Sequence, residues 1–375
     1  MTPKFTNSTV RSERGSLMEK RFGGPHKALL TTIVFAIAVA VATTVASAAP
    51  TASRACKTGN EITLGIPGIP PVFLGVRPYT ADKQGIYKKY CANVTIKPFT
   101  TGTDALRAVQ AGQIDAAWAP TPGALSAMAR GADLVAIEGM DVVDWEVGSI
   151  DSSIKTCADL KGQTIGVDTV NGARYNALAG MLSKCKLSIS DVKTVNFPGA
   201  AGMQAQIAGS LKVNVLHIDE EAQIEKVRGS QVSVPIKLTD VDPFQHYDML
   251  VVQKSSVKNH YYDYLKLLAG DIATTRYMAQ AKNLDTVAQI GTITGVDKDI
   301  AKIALTKYTK MKWWPLDNPG LGLGRITRTI GLNVKTGAIP DGAVTWKSAV
   351  DTRMWKAAYK LVTGKKYVAK PSLHG

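Results

Sequence analysis

From Glu61 onward, short β-rich apolar runs alternate with stretches whose apolar residues fall at helical spacing. This rhythm predicts α/β units built on largely parallel sheets. The first series runs strand 61–66, helix 80–90, strand 94–99, helix 103–112, strand 114–118, helix 121–130 and strand 134–138. Ala105, Leu106 and Val109 mark one helix face within it, and Gly112 stands where a left-handed cap is expected. After a polar stretch at 151–160 a second series opens, with strand 164–167, helix 174–184, strand 192–196, helix 201–209 and strand 213–217. A strand at 248–253 returns to the first series, so the chain is expected to cross twice between two lobes around a hinge. Lobe 1 is expected to take 60–145 plus 248–375, and lobe 2 to take 146–247. From Tyr261 the chain reads as mainly helical, broken by a Gly/Pro-rich stretch at 315–324, and these helices are expected to brace the first lobe.

The beginning of the chain has a different character. Lys20, Arg21 and Lys27 precede an almost uninterrupted apolar run over 28–48 that ends in Ala46, Ser47 and Ala48. That order predicts a cleavable secretory signal peptide over 1–48, with Met18 better placed than Met1 as initiator. A permanent anchor is the rival reading, because about twenty apolar residues suffice to span a bilayer. Removing 1–48, with six Lys/Arg and two Asp/Glu, takes the 45 basic and 30 acidic residues to 39 and 28, a net of +11. The basic residues are scattered and an exported chain seldom meets nucleic acid, so no nucleic-acid partner is expected. An anionic ligand or an anionic membrane surface suits the charge better.

Export also bears on Cys56, Cys91, Cys157 and Cys185, an even set bound for an oxidising compartment and without zinc-like spacing. Disulfides are expected. Of three connectivities, Cys56 with Cys91 and Cys157 with Cys185 is favoured, because each bond would staple one βα unit. Cys56 is not expected to carry a lipid, since Arg54 stands just before it and the apolar run ends well upstream.

No metal-ligand His spacing, nucleophile elbow, phosphate loop or dinucleotide fingerprint occurs, so no catalytic residue, metal or cofactor is assigned. The candidate site is instead the set of loops at the carboxyl ends of the predicted strands, where open α/β sheets receive ligands. In the first lobe these contribute Pro70, Phe73, Trp118, Pro120, Thr121 and Met140. In the second they contribute Thr169, Asn171, Gly172, Ala173, Arg174 and Tyr175, then Gly199, then His217 and Asp219. The stretch 168–175 runs from a strand through small and polar residues into a helix, a geometry whose free N–H groups suit a carboxylate, sulfonate or phosphate. Arg174 offers such a group a bidentate clamp or stays solvated beside an ordinary capped helix; the sequence leaves both open. Phe73, Trp118 and Tyr175 read as pocket walls or as core, and His217 with Asp219 as a ligand-orienting pair or a structural histidine.

Two segments carry a family resemblance. Leu106-Arg107-Ala108-Val109-Gln110-Ala111-Gly112-Gln113-Ile114-Asp115-Ala116-Ala117 resembles an alanine-rich helix, Gly-Gln-Ile-Asp turn and strand, and Asp159-Leu160-Lys161-Gly162-Gln163-Thr164-Ile165-Gly166-Val167 resembles the start of a second lobe. Both are similar to segments of the substrate-binding proteins of nitrate/taurine/sulfonate-type ABC transporters, the NMT/THI-like group that includes binders of thiamine-pyrimidine precursors. The likeness covers about Ile62 to Val252. It implies a type II periplasmic-binding fold whose two α/β lobes close on the ligand like a hinge, with a membrane permease and ATPase as partners; a small organic, anionic ligand and a monomeric protein are expected beside it, and the signal peptide adds a periplasmic location. The chain departs from the pattern at 209–214, where an acidic turn residue is missing, and at 169–174, which has fewer hydroxyls, so an organic acid, including an aromatic one, and a neutral heterocycle stand equally open beside sulfonate or nitrate. A ligand-loaded sensor, or an enzyme on the same fold, are the alternatives the residues leave open.

Overall fold

The structure, a computed structural model, describes residues 59–170 and 172–368; the expected signal peptide over 1–48, Cys56 and Asn171 lie outside the described residues. The first series of strands is β1 (Glu61–Pro67), β2 (Asn93–Phe99), β3 (Ala116–Pro120) and β4 (Leu134–Met140). The second is β5 (Glu146–Ser149), β6 (Thr164–Val167), β7 (Lys193–Asn196), β8 (Val213–Leu216) and β9 (Ser233–Lys237), and β10 (Asp248–Gln253) then rejoins the first. Two five-stranded sheets result, in the orders β2-β1-β3-β10-β4 and β7-β6-β8-β5-β9.

β1 runs parallel to β2 and β3, and β6 runs parallel to β7 and β8. The sheets are nevertheless mixed, because β5 and β10 run antiparallel to both of their neighbours. Each of these two strands arrives straight from the other lobe, with no crossover helix to restore a parallel direction. β5 has only four residues and begins right after the first crossing, so the second sheet starts before the polar stretch at 151–160.

The helix expected over 80–90 starts at Val76 and breaks at Gly85, whose φ of 64° is left-handed. The helix after β2 is Gly102–Gln110, and Thr101 caps it by accepting from the Asp104 N–H at 3.1 Å. The Cys157–Cys185 disulfide forms as expected, with a Cα–Cα distance of 5.9 Å. Cys91 is disulfide-bonded too.

The first lobe is held by an ion cluster under its sheet. Arg77, fully buried, grips Glu138 on β4 through both terminal nitrogens at 2.7 and 3.3 Å and lies 3.5 Å from Asp271. Asp271 also accepts from Tyr87 at 2.8 Å, and the guanidinium lies over the Trp118 ring at 4.9 Å. Burial pushes Glu138 up to about 7 despite the opposing charge of Arg77. The C-terminal helices do brace this lobe, Arg353–Thr363 lying along Tyr261–Met278. Lys298–Met311 reaches further, packing on the second-lobe helix Ile218–Arg228, where the Asp297 N–H donates to Gln223 at 2.9 Å.

Removing Arg77 strands two carboxylates in the core. Arg77→Ala is expected to lower the unfolding free energy by about 3–5 kcal/mol in urea titrations, and adding Glu138→Gln to recover part of that loss.

Candidate functional site: the inter-lobe cleft and its hinge

The loops at the strand ends face each other across the lobes. Pro67 leads into Gly68 and the cis Ile69–Pro70 bond, and Gly199 from the second lobe lies directly against them. A Cβ on Gly199 would sit 3.1 Å from the Ile69 nitrogen, so the two backbones touch and the lobes are closed at this point. Pro70 itself is exposed beside Gly295.

A groove of about 840 Å³, which takes no lining residue from that contact, runs between the first-lobe helices Gly102–Gln110 and Thr121–Ala129, the second-lobe helix Ala173–Lys184 and the helix Leu323–Lys335. That volume suits a small organic molecule. Its walls include Thr103, Arg107, Arg130, Tyr175 and Gln245, and no carboxylate lines it. Its edge is fixed by a buried chain around His246, whose Nε2 faces the Gly320 carbonyl at 2.6 Å. A carbonyl can only accept, so Nε2 carries the proton and Nδ1 accepts from the Thr121 hydroxyl at 2.7 Å. Burial holds this imidazole below its ordinary pKa, and it is neutral.

The second-lobe seat expected to receive an anion is occupied by the chain itself. Asp168 accepts from the N–H groups of Thr169 and Ala173 at 2.9 and 2.8 Å, and Gly172 presses so close that a Cβ there would meet the same carboxylate at 2.5 Å. Arg174 is neither a free clamp nor solvated. It is 3% exposed and holds Glu220 in a two-pronged bond at 2.6 and 2.8 Å. A carboxylate tethered five residues upstream, and another brought in by the fold, reach these groups before any solute does. Tyr175, one residue further along the helix, does face the groove.

The remaining candidates divide between core and hinge. Trp118 lies mid-strand in β3, wholly buried under Arg77, and Met140 is buried at the end of β4. Pro120 precedes the 121–129 helix as its N-cap. Phe73, His217 and Asp219 join an aromatic and acidic cluster where the crossings meet. Phe73 stacks on Tyr308 at 5.2 Å, and His217 lies 3.7 Å from Trp145, centroid to centroid. His217 Nδ1 meets both Asp144 oxygens at 2.8 and 2.9 Å, while the Tyr308 hydroxyl bridges Asp144 and Asp219 at 2.6 and 2.8 Å. Trp313 stacks on Tyr308 at 4.1 Å and closes the cluster against Tyr247. His217 is thus paired with Asp144 across the hinge, and Asp219 with Tyr308.

Burial alone would lower the His217 pKa, but the charge and hydrogen bond of Asp144 more than offset it and the imidazole sits above its ordinary value. Burial, with Glu220 close by, pushes Asp219 up to about 7, and burial does the same to Asp248 on the second crossing. Glu220 goes the other way: burial opposes ionisation, yet Arg174 holds it below the usual carboxylate range.

A family model described as NMT1/THI5 like matches residues 74–269. The chain belongs to the NMT1/THI5-like family. Its fold is shared by a protein of Bordetella bronchiseptica RB50, at 21% identity over 82% of this chain and 98% of that one, with a TM-score of 0.67. It is shared by the alkanesulfonate-binding protein SsuA of Xanthomonas axonopodis pv. citri bound to MOPS, at 15% identity over 79% and 99% of the two chains, TM-score 0.63. The periplasmic nitrate-binding protein NrtA of Synechocystis PCC 6803 follows at 13% identity over 82% and 90%, TM-score 0.65. No curated protein sequence matches the chain. The two-lobed periplasmic-binding fold expected of this NMT1/THI5-like chain is the fold it has.

Asp144, Trp145, Tyr247, Tyr308 and Trp313 were invisible as hinge residues in the sequence, since they come from three separate segments. The adjacent aromatics Trp313 and Trp314, just before the Gly/Pro stretch, were the one local signal.

The hinge carries a pH dependence of fixed sign. Asp219 and Asp248 keep protons in the folded chain that the unfolded chain releases above its own carboxylate pKa, so their contribution to stability is lost as pH rises towards about 7. His217, raised in the fold, contributes fully below its unfolded pKa and loses this as pH rises through its folded value. Thermal melts are expected to show Tm falling from about pH 5.5 to about pH 8, and Asp219→Asn, which keeps a neutral hydrogen-bonding partner for Tyr308 that does not titrate, to flatten that slope. A Tm that rises over this interval would show that the cluster does not titrate this way.

Proposed function

We propose that this chain is the solute-binding component of an ABC importer, capturing a small organic solute with an acid group between its two lobes and presenting it to a membrane permease driven by an ATPase. The groove between the lobes, lined by Arg107 and Arg130 and by no carboxylate, is the observation that carries the reading. Membership of the NMT1/THI5-like family and the fold shared with alkanesulfonate-binding and nitrate-binding proteins support it. The acid group is assigned to the first-lobe wall, because Asp168 and Glu220 already fill the second-lobe donors.

Capture then needs only that the solute prefer the closed arrangement, in which Gly199 meets Ile69 and Tyr308 ties Asp144 to Asp219. The apolar run over 28–48 supports export by a cleaved signal peptide, and a periplasmic location follows from it. Binding is favoured over catalysis by the hinge chemistry. The hydroxyl nearest the His217–Asp144 pair, that of Tyr308, is hydrogen-bonded to two carboxyl groups and not to the imidazole, so no nucleophile is activated there.

Native mass spectrometry of the exported protein, followed by denaturation, is expected to release one small acid per chain. Tyr175→Ala and Arg130→Ala are each expected to weaken its binding about tenfold, near 1.4 kcal/mol, in calorimetric titration. Failure of any small acid to bind or to compact the protein in solution would count against capture.

A further inference from the structure

A second concave surface lies on the first lobe and shares no residue with the inter-lobe groove. It measures about 700 Å³ and is formed where Val135 of β4 meets the loop after β10, the segment 347–352 and the starts of the helices Tyr261–Met278 and Arg353–Thr363. Val135, Val257, Val350 and Tyr261 give it an apolar floor, and Lys254, Lys258, Lys347 and Arg353 a cationic rim. Its single carboxylate, Asp351, is already taken by Arg353 at 2.6 and 3.0 Å. The three lysines are exposed, and none has an ion pair among the described residues.

Lysines beside a sheet edge often serve only to deter pairing with another strand. Here that edge is already covered, since Val350 bridges Ala136 and the Asp351 N–H donates to the Ala136 carbonyl at 2.8 Å. The surroundings extend the same chemistry. Tyr262, edge-on to Tyr261, is 73% exposed, and the helix that starts at the groove carries Lys356 and Lys360 on exposed positions, with Lys365 and Lys366 after it and no acid between Arg353 and Val368. Unpaired ammonium groups around an apolar floor, beside an exposed tyrosine, match a surface of anionic headgroups over acyl chains. Each lysine near such a surface contributes about 1 kcal/mol, and tyrosine favours the same boundary.

We propose that this face of the first lobe docks on anionic phospholipid, the headgroup phosphate entering the groove between Lys254, Lys258 and Lys347. All of its elements belong to the first lobe, so docking holds that lobe at the membrane and leaves the second free to open and close.

The test is sedimentation of the exported protein with vesicles of phosphatidylglycerol and phosphatidylcholine in equal parts, against vesicles of phosphatidylcholine alone. The expected result is binding to the first only, weakened by salt, and reduced about tenfold or more in K254E/K258E/K347E. The control K161E/K184E/K193E changes the net charge equally on exposed second-lobe positions and is expected to stay within about twofold of the original. If the charge-reversed variant does not fold, K254Q/K258Q/K347Q takes its place with the same direction expected. Equal loss in the control, absence of vesicle binding, or saturation by inorganic phosphate without vesicle binding would each overturn the proposal.

Discussion

Asp144 is the carboxylate through which the two lobes are tied together. It stands on the first crossing, accepts the imidazole of His217 from the second lobe, and accepts the hydroxyl of Tyr308 from a helix that packs on both lobes. A carboxylate this deeply buried is tolerable only while its partners stay in place. Aromatic rings from Trp145, Tyr247, Tyr308 and Trp313 seal the cluster from water, which strengthens each bond within it and raises the cost of breaking any one.

The same economy of charge shapes the solute's surroundings. The positive groups at the start of the 173–184 helix are spent internally, Arg174 on Glu220 and the helix's first N–H groups on Asp168. The positive groups left facing the groove are Arg107 and Arg130 on the first-lobe wall, of which Arg107 also meets Asp104 at 3.1 Å. Of the groove's side chains, Tyr175 comes from the second lobe and both arginines from the first.

Most of the strands were legible because their signals are local. β6 and β10 lie where the apolar runs placed them, and Gly112 and Gly131 terminate their helices in the left-handed conformation that glycine permits. β5 was missed, since four residues carry no measurable alternation and only the neighbours β8 and β9 make them a strand. Trp118 was displaced towards the cleft by a strand placed two residues early. In the fold it is the floor beneath Arg77.

The sequence by itself determined the α/β plan, carried the family resemblance and favoured the Cys157–Cys185 pairing among three connectivities, because periodicity, turn glycines and cysteine spacing act over a few residues to a few tens. The tertiary structure alone decided what the charged residues do. Arg174 met Glu220 46 residues away, His217 met Asp144 73 residues away and Tyr308 met Asp144 164 residues away. Whether a polar side chain serves a solute or the hinge depends on which partner the fold delivers first, and no local pattern encodes that.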